Sequence, residues 1–77
     1  MSDKEAELDQ LQLAYKTAVD DWVTLIRAEE QLASVHHTVA QVDLWEGAHF
    51  AAEEARGKAE AAKSAYEDAL RAHFYGI

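Results

Sequence analysis

One run in the chain has the residue types and spacing of a metal site. Glu46-Gly47-Ala48-His49 reads E-x-x-H, which sets a carboxylate and an imidazole three residues apart on one helix face. Carboxylate-bridged iron and manganese sites in helical bundles use that spacing and draw further carboxylates from facing helices. Glu29 and Glu53 are the candidates for that supply, with His36 and His37 at the expected turn nearby. Such a match is cheap in a chain rich in Glu and Ala, and a two-metal bundle needs more inward carboxylates. The first expectation is therefore no metal and no cofactor, with Glu46 in a helix cap and Glu29 in solvent. A metal-binding bundle on Glu29, Glu46, His49 and Glu53 is the alternative.

Other chemistry is sparse. Cysteine is absent, and Ser2, Ser34 and Ser64 lack the strand–turn–helix setting of a nucleophile elbow. Gly47, Gly57 and Gly76 are scattered, so no loop cradles a phosphate. The neighbouring carboxylates Asp20-Asp21, Glu29-Glu30 and Glu53-Glu54 point in different directions on a helix and offer no acid–base pair in a cleft. Of the histidines, His73 suits the negative end of a helix dipole, and none of the four is expected to be functional. The chain reads as a non-enzyme.

The elements that carry these residues are helices. Ala, Glu, Leu, Lys, Gln and Arg dominate, proline is absent, and no glycine interrupts residues 1–46. Ser2-Asp3-Lys4-Glu5 fits a capping box, and Asp43-Leu44-Trp45-Glu46 offers a second start signal. Residues 34–42 are richer in β-branched side chains. The spacing thus predicts a helix over about 3–34, a turn over about 35–43 and a helix over about 44–75. One helix running to Glu46 with Gly47 as its stop is the alternative, and it would waste the Asp43 cap.

Periodicity gives the pairing. Leu8, Leu11, Tyr15, Ala18, Trp22, Leu25, Glu29 and Leu32 recur at alternating spacings of three and four, the seam of a left-handed helix pair. Trp45, Ala48, Ala52, Ala55, Ala59, Ala62, Tyr66 and Ala69 do the same. In an antiparallel hairpin the two series oppose each other with large residues mostly facing small ones, Trp22 against Ala55 and Leu25 against Ala52 among them. Gly57 inside a helix costs about 1 kcal/mol relative to Ala, and a bulky ring close by would account for it. Phe74 and Tyr75 form an apolar tip expected to pack on its own bundle end beside Leu8 and Leu11.

Composition narrows the function classes. The chain has 77 residues and a net charge of −8 from 15 acidic and 7 basic residues. That balance disfavours both a nucleic-acid backbone and an anionic membrane surface as partners. No apolar run approaches the ~18 residues of a spanning helix and no basic-then-apolar leader opens the chain, so a cytoplasmic setting is expected. Of 38 hydrophobic residues, 16 are alanine, so one hairpin buries little. Val19, Val23 and Ile26 widen the apolar face of the first helix, and Phe50 lies off the seam of the second. The expected architecture is all-α: an antiparallel two-helix hairpin that dimerises into a four-helix bundle. Its expected role is a small acidic protein–protein interaction module, with Val19, Val23, Ile26, Phe50, Phe74 and Tyr75 as contact residues. The acidic outer faces suit an unidentified protein partner with a basic surface.

Trp45-Glu46-Gly47 resembles the W-x-G signature of the small secreted helical-hairpin proteins of the WXG type, which carry it at the turn between two long helices and dimerise. The resemblance implies a secreted hairpin as a further alternative. This chain is shorter than members of that family, and the residue four after Tyr66 is Leu70, so the tyrosine-plus-acidic export motif is not matched.

Overall fold

Two helices account for nearly all of the chain. The computed structural model describes residues 3–33 and 38–76. Helix α1 spans Asp3–Ala33 and α2 spans Val39–Tyr75. They pack side by side as an antiparallel hairpin, the all-α fold expected. Among the described residues no helix is long and apolar enough to cross a membrane.

The start of α2 differs from the expectation. Thr38 is its N-cap, with extended backbone at φ −105° and ψ 163°. The Gln41 N–H donates to Thr38 Oγ1 at 3.2 Å, and the Val42 N–H donates to the Thr38 carbonyl at 2.9 Å. Asp43 therefore lies inside the helix and is not its cap. A threonine cap contributes roughly 1 kcal/mol. The β-branched Val39 and Val42 cost only a few tenths of a kcal/mol each in a helix, too little to delay its start. The single-helix alternative is excluded because the backbone at Thr38 is extended, and Gly47 sits within α2 rather than stopping a helix. The Ser2 cap, and His36 and His37 in the expected turn, fall outside the described residues. At the far end Gly76 adopts the left-handed conformation (φ 68°, ψ 23°), and its N–H donates to the Ala72 carbonyl at 3.1 Å. Only glycine takes that backbone at little cost, so the helix ends there.

The seam read from periodicity is the packed seam. Among the described residues of α1, those withdrawn from solvent are the eight seam residues and Val19. On α2 all eight seam residues are buried or half-buried, and the buried ones are Ala52, Ala55 and Ala59. The register agrees locally: Leu8 and Ala69 line one groove, and Ala18 and Leu25 line another with Ala51 and Ala55. Tyr15 reaches along the seam past its expected level at Ala62, and its ring lies 6.3 Å from that of Tyr66.

The result is one layer of helix. The molecule measures 57 × 20 × 13 Å and its radius of gyration is 17.3 Å, whereas a compact chain of this length has about 11–12 Å. It exposes 5922 Å², about 1,200 Å² more than the ~4,700 Å² expected for a compact monomer of this mass. Gly57 does not answer to packing as expected: a Cβ there would meet nothing within 4 Å, and the same holds at Gly47.

Candidate functional site

The E-x-x-H run brings together one pair only. Glu29, half-buried in the α1 seam, meets His49 of α2, with Oε1 and Nδ1 3.0 Å apart. The His49 ring lies almost parallel to the Trp45 indole, centroids 5.1 Å apart and planes 11° apart, and its other neighbour is Phe50 at 5.8 Å. Trp45 lies one helical turn before His49, so the indole fixes the ring while Glu29 fixes its Nδ1 side. The other expected ligands do not join. Glu46 is exposed, and Glu53 faces Arg56 at 3.1 Å. Among the described residues no three His, Asp or Glu side chains gather where an ion could sit. Glu46 and Glu53 lie within one helical turn of His49 on α2, yet the carboxylate that reaches the His49 ring is Glu29 from the facing helix.

The outer face of α2 is a ladder of local ion pairs. Arg56 lies between Glu53 and Glu60, the latter at 2.7 Å, and these contacts push its pKa above the ordinary arginine value, the Glu53 hydrogen bond foremost. Lys58 pairs with Glu54 at 3.5 Å and Arg71 with Asp68 at 2.8 Å. These are exposed pairs three or four residues apart on one helix, of the kind that adds little to stability.

The six residues expected to make contacts do not form one patch. Val19 is half-buried, while Val23 and Ile26 remain 38% and 37% exposed. Spaced at i, i+4 and i+7, these three form one stripe along α1. Phe50 stands on the outer side of α2, about 160° around the helix from Ala48 and from Ala52, and is 68% exposed. The aromatic tip does not fold back on Leu8 and Leu11. Phe74 and Tyr75 are exposed and border a groove of about 390 Å³ with Glu67, Leu70 and Arg71. The helix continues through both residues to its Gly76 cap, which carries their side chains outward. His73 takes the inner position instead, beside Leu8, and its Nδ1 is buried with no partner among the described residues.

Sequence reasoning passed over Leu13, Val39, Val42 and Leu44, all large, apolar and exposed. They sit outside the seam periodicity, and that mismatch was the available signal. A groove of about 430 Å³ on one side of the hairpin, floored by Ala18, Ala51 and Ala55 and rimmed by Asp21, Glu54 and Lys58, also had no counterpart in the reading. Comparison of the chain with protein-family models, with curated proteins and with solved structures finds no match.

Proposed function

We propose that this protein is a small acidic interaction module that works as a self-associating helical hairpin, two copies closing into a four-helix bundle. One observation carries the reading: the hairpin is a single layer 13 Å thick whose buried residues, among those described, are three alanines. Stable domains pack at least two layers around a core. Here Trp22, Leu25 and Leu32 are only half-buried. A second hairpin supplies the missing layer, and closed two-fold dimers are the commonest way to do so. The role is non-catalytic and needs no cofactor. The acidic outer faces favour a further protein partner with a basic surface, and a cysteine-free chain is compatible with a reducing, cytoplasmic setting.

Sedimentation equilibrium of the full chain at micromolar concentration tests the reading. The expected result is a dimer whose thermal midpoint rises with protein concentration. A well-folded monomer with a concentration-independent midpoint overturns it.

A further inference from the structure

We infer that the second copy docks on the outer stripe of α1, antiparallel and centred on Val23, so that α1 packs against α1 of its partner. The inference rests on the self-association reading and adds the surface and the register. The stripe continues the Val19, Val23, Ile26 spacing outward to Lys16 on one side and Glu30 on the other, again at alternating three and four residues. Its order is self-complementary to within one residue. With two-fold symmetry at Val23, Val23 meets the partner's Val23, and Val19 lies about 1.5 Å along the axis from the partner's Ile26. In the same register Lys16 is level with the partner's Glu30, and Asp20 lies about 1.5 Å along the axis from the partner's Arg27. To within that offset each apolar residue has an apolar neighbour and each charge its opposite, twice over.

The structure leaves this stripe open. Val23 and Ile26 are more than a third exposed, and Lys16, Asp20, Arg27 and Glu30 are exposed. Lys16 already sits 3.2 Å from Asp20, so docking would extend that pair into a four-charge network. Among the described residues, Arg27 and Glu30 make no ion pair within the chain.

Two quantities favour a second copy as the occupant. The first is charge. A chain of net −8 repels its own copy on most faces, whereas Lys16, Asp20, Arg27 and Glu30 sum to zero, so like can approach like here. The second is area. The hairpin exposes about 1,200 Å² beyond a compact monomer, and a standard interface buries about 800 Å² per partner. A foreign helix would need no such palindrome of charges in its target.

Cysteine scanning of the full chain reads the register, because the natural sequence holds none. Under mild oxidation V23C is expected to crosslink to itself. V19C and I26C alone should not, since they lie about 12 and about 9 Å along the axis from their own copies, beyond disulfide reach. A mixture of V19C and I26C chains should crosslink. V23E should raise the dimer dissociation constant about 100-fold or more, with helical circular dichroism retained because Val23 is exposed in the lone hairpin. K16E or E30K should each weaken the dimer by about 3–10-fold, and the double swap should restore it. A dimer by sedimentation with no V23C crosslink, or with V19C or I26C self-crosslinking as efficiently as V23C, overturns this interface and leaves self-association standing. A folded monomer overturns both.

Discussion

The two helices contribute to packing in opposite ways. Among the described residues α2 supplies every buried one, and Ala52, Ala55 and Ala59 are all small. Helix α1 supplies the large side chains over them, Trp22 and Leu25 among them, and none of its described residues is more than half-buried. A large residue laid on an alanine wall covers the wall while leaving its own far side in water. Close approach of two helices therefore seals the centreline of a hairpin and little else. Completeness has to come from outside the pair.

If α2 is the sealed wall, charge placed there should be the most damaging change. Ala59→Asp buries a carboxylate too short to reach water and should lower the unfolding free energy by about 3 kcal/mol or more. Ala61→Asp, two residues along on the exposed side, should cost only about 0.5 kcal/mol of helix propensity. Equal losses in urea titration would show that α2 has no sealed side. On α1 the half-open Trp22 should be less costly to remove than a fully enclosed aromatic. We expect about 2–3 kcal/mol for Trp22→Ala, against 3–5 for a fully buried ring, and an unchanged urea midpoint would mean that α1 does not cover the wall. Away from both, Gly57→Ala should raise stability by about 1 kcal/mol, because the helix gains propensity and the added methyl meets open space. A lower melting temperature would instead place an unseen neighbour at that position. Smallest is Glu29→Gln, which weakens the contact with His49 across the helices and should cost less than about 1 kcal/mol, given the partial exposure of both side chains. A loss near that of Trp22→Ala would move the centre of stability from the alanine wall to this polar contact.

Particular residues show how far the sequence could be read. The seam was legible because a repeat of three and four fixes which side chains share a face, whatever the helix packs against. Within α1 that reading missed only Val19 among the described residues withdrawn from solvent. The Glu29–His49 pairing was half legible. Glu29 stood in the seam opposite Ala48, and the next residue on α2 was the one that met it. Glu46 and Glu53 lie within one turn of His49 on α2, but Glu46 is exposed and Glu53 is taken by Arg56, and spacing does not say which partner a carboxylate finds. The aromatic tip was misread although the periodicity reached it. Four residues on from Ala69 the seam lands on His73, which turns inward beside Leu8, while Phe74, about 100° around the helix, turns out.

Sequence alone therefore determined two long helices, their antiparallel pairing and the alanine wall, since propensity and spacing act within about one turn of chain. Tertiary structure decided where α2 begins, how it is rotated, which carboxylate meets His49 and which apolar residues stay open. Those outcomes are differences of about 1 kcal/mol between near-equal local choices, such as a cap at Thr38 or at Asp43. At that scale the packed partner, rather than the local residue, sets the result.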